Sequence, residues 1–228
     1  MTSISPLPKP KPLNKLAYEH LRTLILSGEL STDTIYSEIA LAEQLGVSRT
    51  PVREALLELS SQGLVTFLPR KGIKVNYFTI RDVEEVFELR SLVELRAVEK
   101  AATRATAEDI AELEDALAEN ERGASEEDEE MFLEGDRRFH FTIARLVENS
   151  RLLAAFENLR DMVHMMSVQA VSRHKRMREV VEEHRHLLAA IEEGNVESAR
   201  TAMSEHMDAS EQAVLDGHRS LAKNGGRV

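Results

Sequence analysis

One carboxylate and three imidazoles are the side chains of this sequence best suited to chemistry. Asp136 and His140 are four residues apart in GDRRFHFTIARL, so a helix would carry both on one face, one turn apart. His184 in EEHRHLLAAIEEGN and His206 in ARTAMSEHMDA each lie beside apolar residues. Three helices could bring the four together inside a bundle, where such a set suits Zn²⁺, Ni²⁺ or Mn²⁺ with coordination positions left open. The alternative is a group of core histidines that only form hydrogen bonds.

The chain from Ile80 onward carries apolar residues at helical spacing, so nearly all of it is predicted to be helical. The predicted helices span 80–104, 107–122, 126–149, 151–173, 177–193 and 196–216. Thr79 is the predicted N-cap of the first, with Asp82 in a capping-box position. Short connections between long helices favour antiparallel neighbours. The sequence therefore predicts an antiparallel all-α bundle of about six helices over 79–217, followed by a flexible tail over 218–228.

The breaks between these helices are expected where turn-forming residues cluster. They are predicted at Thr106-Ala107, Gly123-Ala124-Ser125, Asn149-Ser150, Arg173-His174 and Gly194-Asn195. Asn149 and Gly194 are typical C-cap residues. The acidic run Glu126–Glu130 is interpreted as the solvated start of the third helix, with its carboxylates near the positive end of the helix dipole.

A different pattern occupies Ser37–Val75, SEIALAEQLGVSRTPVREALLELSSQGLVTFLPRKGIKV. Ala42 is small enough for a second helix to cross over it, and Gly46 can adopt the left-handed conformation of a corner. Val52 then falls on the inner face of the next helix, for which Ser48 is a good N-cap. This spacing is typical of a helix-turn-helix whose second helix is free to enter a DNA major groove.

The exposed end of that second helix and the turn that follows it are polar and basic. The side chains near the start of the helix are Arg49, Thr50 and Arg53. Leu64–Leu68 and Ile73–Val75 are predicted strands around the turn Pro69-Arg70-Lys71-Gly72, a two-stranded wing. These features agree on a winged helix-turn-helix domain over 13–78. The alternative is a small three-helix domain with ordinary surface arginines.

Composition and charge agree with two domains. The 228 residues include no cysteine, as suits a reducing cytosol, and no apolar run is long enough to span a membrane. The net charge is −11, yet residues 1–80 hold 9 Lys/Arg against 7 Asp/Glu while the remainder holds 20 against 33. This split indicates that only the first part approaches a polyanion. Residues 1–12, rich in proline and lysine, are predicted to be a disordered arm.

The segment LGVSRTPVREAL, followed by a GLV strand and a basic-glycine wing, resembles the DNA-binding domain of GntR-family bacterial transcription regulators. The residues that the resemblance implies at the DNA are Ser48, Arg49, Thr50 and Arg53 in the helix, and Arg70, Lys71 and Gly72 in the wing. Arg49 and Arg53 would read bases or nearby phosphates, and the wing would reach the minor groove. Some relatives carry a further DNA-contacting arginine in the first helix, but Ile39 stands there in this sequence.

The helical region resembles the ligand-binding FCD domain of the FadR-type subgroup of that family. The matching pieces are ELRSLVE at Glu88–Glu94, DRRFH at Asp136–His140, EEHRHLLAAIEEGN at Glu182–Asn195 and the pair Glu205-His206. In that subgroup an aspartate, the histidine four residues later and two downstream histidines bind a divalent metal. The resemblance implies the same role for Asp136, His140, His184 and His206, with zinc first and nickel or manganese as alternatives.

Arg90, within ELRSLVE, has two interpretations that remain open. It could form a salt bridge with Glu94 or with a neighbouring helix. It could instead offer a guanidinium fork to the carboxylate of a small effector, as the family implies. A metal and an arginine in one cavity would jointly favour a small carboxylate, such as a hydroxy acid or a sugar acid.

These patterns together predict a cytoplasmic DNA-binding transcriptional regulator, a repressor by family analogy, whose operator binding responds to a small carboxylate. One helix-turn-helix reads only a half-site, so a homodimer and a palindromic operator are expected. Neither enzymatic activity nor membrane binding is expected. The competing hypotheses are a metal-dependent hydrolase or lyase using the Asp/His cluster, which gives the DNA-reading domain no role, and a DNA-binding structural protein with a vestigial pocket.

Overall fold

The computed structural model describes residues 11–169 and 174–223, which form two compact units. The first unit ends at Tyr77 and the second begins at Phe78. The boundary was predicted one residue later, but Phe78 is buried and groups with the second unit. Most of the predicted arm 1–12 lies outside the described residues, as does part of the predicted break at Arg173-His174.

The first unit is a winged helix-turn-helix, as predicted. Its elements are α1 (Leu13–Leu26), β1 (Ile35–Tyr36), α2 (Glu38–Gln44), α3 (Arg49–Ser61), β2 (Val65–Leu68) and β3 (Gly72–Val75). Leu21 of α1 and Val52 and Leu56 of α3 are fully buried, so the apolar faces of these helices form the core. Gly46 takes φ +65° at the corner between α2 and α3, a conformation that glycine adopts without strain.

The predicted two-stranded wing is formed by β2 and β3, and in the described residues a third strand, β1, joins its sheet. Strand β3 lies between β1 and β2, and both pairs are antiparallel, with Tyr36 opposite Ile73. A two-residue strand such as β1 is too short to show alternation, and its sequence therefore carries no strand signal. Gly72 lets β1 approach closely, because a Cβ at this position would lie 2.2 Å from the Tyr36 carbonyl oxygen.

Over the residues that the structure describes, the second unit is a bundle of six helices, as predicted. They are α4 (Ile80–Arg104), α5 (Ala107–Glu126), α6 (Glu129–Arg145), α7 (Ser150–Gln169), α8 (His174–Glu192) and α9 (Val196–Lys223). Thr79 and Asp82 form the predicted capping box at the start of α4. Helix α5 packs on α6 and α8, while α9 packs on α4 and α8. Within the described part of the chain, no helix combines the length and apolarity needed to span a bilayer.

The break predicted at Gly123-Ala124-Ser125 was wrong, because α5 continues to Glu126. Gly123 is buried where α6 crosses, and a Cβ there would lie 2.4 Å from the Phe132 backbone nitrogen. This glycine serves close packing and does not end the helix. The acidic run is therefore split between two helices, and Asp128 caps α6 by accepting a hydrogen bond from the Met131 backbone N–H.

Two further helix ends differ from the prediction. Asn149 was predicted as a C-cap, but its side-chain oxygen accepts hydrogen bonds from the backbone N–H groups of Arg151 and Leu152, so it caps the start of α7. Helix α9 continues through Lys223, because Leu215 and His218 extend its buried face. The tail predicted from residue 218 therefore begins inside a helix.

Candidate metal centre and nucleic-acid interface

Three predicted metal ligands meet inside the second unit. His140, His184 and His206 come from α6, α8 and α9 and are fully or almost fully buried. Their ring centroids are 5.0 Å apart in each pair, and one ring nitrogen from each lies within 4.8 Å of the other two. The histidines were predicted to converge, and their geometry provides three nitrogen donors for one ion.

Each histidine is oriented by an acceptor at its Nδ1 atom. His140 donates from Nδ1 to Glu94 Oε2 at 2.5 Å, and His206 donates from Nδ1 to Glu183 Oε2 at 2.6 Å. His184 Nδ1 lies 2.9 Å from Asn120 Oδ1. A proton placed on Nδ1 leaves the Nε2 lone pair of each ring free to bind a metal, which is the usual arrangement around metal-binding histidines.

The orientation of the Asn120 side chain is itself determined by a hydrogen bond. Its Nδ2 donates to the Phe132 carbonyl at 2.6 Å, and a carbonyl can only accept. The amide oxygen must therefore face His184, and His184 must carry its proton on Nδ1. The His184 ring is also stacked on Phe139, with centroids 4.3 Å apart. The hydrogen bond to Asn120 and this stacking contact together fix the orientation of the ring.

Electrostatics within the cluster favour a bound cation. His140 Nε2 and His184 Nε2 are 3.1 Å apart, and two such lone pairs repel unless a cation or a shared proton lies between them. His206 Nε2 is buried and has no hydrogen-bond partner among the described residues. Burial lowers the pKa of His206 to about 4, against the opposing effect of Glu183, and also lowers the pKa of His184. Neutral imidazoles are the form that binds metal, so these residues fit a divalent ion.

Asp136, the fourth predicted ligand, lies beside the histidines and is held by an arginine. Its Oδ1 is 3.7 Å from His184 Nε2 and 3.9 Å from His140 Nε2, while its Oδ2 pairs with Arg160. Burial alone would raise the pKa of Asp136, but Arg160 and the histidines outweigh that effect and hold it well below its usual range. Asp136 is therefore ionised, with one oxygen facing the cluster.

Arg90 is buried in an ion pair with Glu94, at 2.6 Å between Nε and Oε1. Its guanidinium carbon also lies 5.5 Å from the Phe87 ring centroid. Burial alone would raise the pKa of Glu94, but its interactions with His140 and Arg90 outweigh that effect and hold it well below its usual range. The two oxygens of Glu94 therefore connect Arg90 to a candidate metal ligand. The effector contact of Arg90 stays a prediction.

Sequence reasoning did not assign roles to the partners of the four predicted ligands. Asn120 could have been noticed, since it is a polar residue on the buried stripe of α5 that carries Leu113, Ala116 and Leu117. Glu183 directly precedes His184 in the sequence. Arg160 offers no such signal, because only the packing of α7 in the folded bundle brings it to Asp136.

The predicted DNA-contacting side chains lie on one face of the first unit. Arg49, Thr50 and Arg53 are exposed at the start of α3. Ser48 occupies the N-cap position but makes no side-chain capping bond, so its hydroxyl is not committed to the helix. A groove of about 540 Å³ lies between this end of α3 and the wing, and Glu38 and Phe67 are among its lining residues.

The tip of the wing continues that basic face. Arg70 and Lys71 are exposed, and Arg70 adopts a left-handed conformation at φ +62°. Lys71 donates its backbone N–H to the Leu68 carbonyl at 3.0 Å, which closes the turn. Together with Gly72, these residues line the same groove as the arginines of α3. Five of the seven predicted DNA-contacting residues therefore line one groove, whereas Ser48 and Thr50 are not among its lining residues.

A winged helix-turn-helix with a basic face, on a chain that also carries a separate helical domain, is the architecture of a DNA-binding transcriptional regulator. Two family models match the chain: "Bacterial regulatory proteins, gntR family" over residues 13–75 and "FCD domain" over residues 85–209. The chain belongs to the GntR family, in its FadR-type subgroup with an FCD domain, as the sequence motifs predicted. Its family and relatives are transcriptional regulators and not enzymes.

Similar proteins support this assignment. The HTH-type transcriptional repressor RspR of Escherichia coli (strain K12) is 26% identical, over 94% of this chain and 94% of its own length. The solved structure of E. coli McbR/YncC has a TM-score of 0.80 and 27% identity, covering 90% of this chain and 98% of that one. A metal-free FCD domain structure, at 20% identity and a TM-score of 0.54, covers 64% of this chain and 99% of its own, and shares the fold.

Proposed function

We propose that this protein is a repressor whose binding to a DNA operator is controlled by a small carboxylate effector, bound at a pocket built around a divalent metal site. The observation that carries the proposal is the common orientation of three buried histidines. Each has its Nδ1 occupied by an acceptor on another residue, which leaves the three Nε2 lone pairs available, and one ring nitrogen from each lies within 4.8 Å of the other two. A core that only needed to satisfy its histidines would not require three converging lone pairs.

His140, His184 and His206 would hold the ion, with Asp136 as a fourth ligand through Oδ1. Arg160 occupies the other oxygen of Asp136 and so fixes which one remains available. Three imidazoles and one carboxylate suit zinc, with nickel or manganese as alternatives. When bound, the ion would supply a positive centre able to attract an effector carboxylate oxygen.

Arg90 would provide the second contact for that carboxylate. In the structure, its Nε donates a hydrogen bond to Glu94 Oε1. A second carboxylate can share the guanidinium, because arginine has five N–H donors and Glu94 uses few of them. Effector binding would then change the charge balance around Glu94 and, through it, the hydrogen bond to His140 Nδ1.

The DNA-binding half of the proposal uses the basic groove. Ser48, Arg49, Thr50 and Arg53 would contact bases and phosphates in the major groove, while Arg70, Lys71 and Gly72 would reach the minor groove. Because one such domain reads a half-site, we propose a homodimer on a palindromic operator, acting in the cytoplasm. The effector would shift the population between two states of that dimer with different operator affinity. Repression is supported by the relative RspR, which is described as a repressor.

Metal analysis tests the pocket. Protein produced without a polyhistidine tag should contain about one divalent ion per chain. His140→Ala and His184→Ala should lose it, whereas His186→Ala should retain it, since that exposed histidine is two residues from His184 on another side of α8. If the metal content were well below one per chain, and adding Zn²⁺, Ni²⁺ or Mn²⁺ did not raise it, the histidines would have a purely structural role.

Calorimetry with a carboxylate identified in a thermal-shift screen tests the effector site. Metal-loaded and metal-free protein should differ in affinity by at least about tenfold. Arg90→Lys keeps a positive charge beside Glu94 but removes the planar fork, so it should weaken effector binding and leave operator binding intact. Equal affinity in all three proteins would place the effector elsewhere.

A further inference from the structure

A carboxylate lies in the middle of the basic face of the DNA-binding unit. Glu38, the first residue of α2, accepts hydrogen bonds from Arg53 Nη1 at 2.8 and 3.0 Å. Arg49 Nη2 lies 3.9 Å from the same carboxylate. The Glu38 side chain is only 15% exposed, whereas those of Arg53 and Arg49 are 55% and 61% exposed.

An acid at this position weakens the general attraction for DNA. Affinity for any sequence comes mainly from cations that neutralise phosphates, and Glu38 cancels part of that charge beside the two arginines predicted to read bases. A glutamate at the N-terminus of α2 also interacts favourably with the helix dipole. The dipole does not, however, require the carboxylate to bind Arg53, so the pairing across two helices needs its own explanation.

The contacts of Arg53 supply that explanation. Its Nη1 is held by Glu38, and its guanidinium carbon lies 5.8 Å from the Phe67 ring centroid. The structure gives Nε and Nη2 no acceptor in residues 11–169 or 174–223. The guanidinium is thus restrained by a carboxylate and a ring, while donors remain for the adjacent O6 and N7 acceptors of a guanine.

We propose that Glu38 is a positioning residue that sets DNA specificity by acting through Arg53. It orients the Arg53 guanidinium before DNA arrives and reduces its value as a general phosphate contact. The correct base then binds a pre-organised pair of donors, whereas random DNA gains less binding free energy from Arg53. This inference rests on the proposed base-reading role of Arg53.

The test compares full-length wild-type, Glu38→Gln and Glu43→Gln proteins on two duplexes. One duplex is selected by the wild-type protein from a random-sequence library, and the other is a scrambled duplex of the same composition. Glu38→Gln should lower the ratio of selected to scrambled affinity by about tenfold, because scrambled DNA binds more tightly and Arg53 loses its orientation. For scrambled DNA, the slope of log affinity against log salt concentration should become steeper by about one.

Glu43→Gln is the matched control, because it removes the same charge from an exposed position at the other end of α2. It should keep the wild-type ratio, and all three proteins should unfold at similar temperatures. An unchanged ratio in Glu38→Gln, or an equal loss in Glu43→Gln, overturns the inference.

An Arg53→Ala background distinguishes the two proposals. If Glu38 acts through Arg53, then adding Glu38→Gln to Arg53→Ala should not lower the ratio further. A further tenfold loss in that background would show that Glu38 acts by another route and would overturn the inference. If Arg53→Ala itself leaves the ratio unchanged, the base-reading role of Arg53 fails, and the role of Glu38 fails with it.

Discussion

The two units each contain an arginine–glutamate pair at their candidate site, and the pairs differ in burial. Arg53 and Glu38 are 55% and 15% exposed, whereas Arg90 and Glu94 are 2% and 1% exposed. A pair at the surface contributes little to stability, because water and salt screen its charges. A buried pair is costly to break, because the remaining charge is left without water or a counter-charge.

This difference fits the two proposed tasks. A DNA-reading arginine must keep donors available for a base, so a surface pair that engages only Nη1 suits it. A pocket that organises charged side chains around an ion needs partners that stay fixed, and the buried glutamate contacts both an arginine and a histidine. The same side-chain chemistry thus orients an accessible guanidinium in one unit and holds a buried network in the other.

The largest expected effect comes from removing the buried charge. Glu94→Gln should lower the free energy of unfolding by about 3–5 kcal/mol, because Arg90 would remain buried without its counter-charge. Glu38→Gln, the same change in the exposed pair, should cost no more than about 1 kcal/mol. Urea unfolding followed by circular dichroism measures both. Equal losses in the two variants would break the comparison.

The second expected effect is a pH dependence confined to the buried site. His206 has its pKa lowered from 6.5 to about 4, so between these values the unfolded chain binds a proton that the folded chain does not. Stability therefore falls on acidification through this window, by about 3 kcal/mol for this one group. The buried carboxylates begin to contribute only at lower pH, because their ordinary pKa values are about 4.

Urea titrations of chelator-treated protein at a series of pH values from 7 downward would measure this dependence. His206→Gln should make it shallower, because one titrating group is removed, while His184, whose pKa burial also lowers, keeps part of the dependence. A dependence that is equally steep in that variant would assign the acid sensitivity to other groups.

The third effect concerns the exposed reading face. Arg49→Ala and Arg53→Ala should each weaken operator binding by about 1–3 kcal/mol, with a smaller loss on random DNA, if the side chains read bases. The stability of the fold should hardly change, since neither side chain is buried. Equal losses on operator and random DNA would leave these arginines as phosphate contacts only.

The smallest effect is expected at the wing. Lys71→Ala should weaken operator and random DNA by similar factors and reduce the slope of affinity against salt by about one. Fluorescence anisotropy over a range of salt concentrations measures both quantities. An effect confined to the operator would instead give Lys71 a role in base recognition.

The sequence predicted the winged helix-turn-helix and the six-helix bundle because their signals are local. The Thr79 capping box depends on residues three apart, and the corner between α2 and α3 on a single glycine. Likewise, the i, i+4 spacing of Asp136 and His140 placed two candidate ligands on one helix face. Such signals survive without knowledge of the tertiary structure.

The remainder depended on contacts between helices. Gly123 resembles a helix end in the sequence, and only the crossing of α6 reveals it as a packing residue. The role of Glu94 follows from a hydrogen bond to a residue 46 positions away. Arg160 reaches Asp136 from a different helix, so no spacing rule along the chain could have connected them.

Gly135, next to the candidate ligand Asp136, has a consequence for protein engineering. A Cβ at this position would lie 2.7 Å from the Asn120 backbone nitrogen and 2.8 Å from the Ala116 carbonyl oxygen, so α5 and α6 touch backbone to backbone. Asn120 orients His184. Because Gly135 has no side chain, α5 can approach α6 closely, and this approach helps to set the distance between Asn120 and the candidate ligands on α6. A graft of the four candidate ligands onto another helical scaffold would need this narrow crossing as well, because the acceptors that aim the imidazoles come from the neighbouring helices.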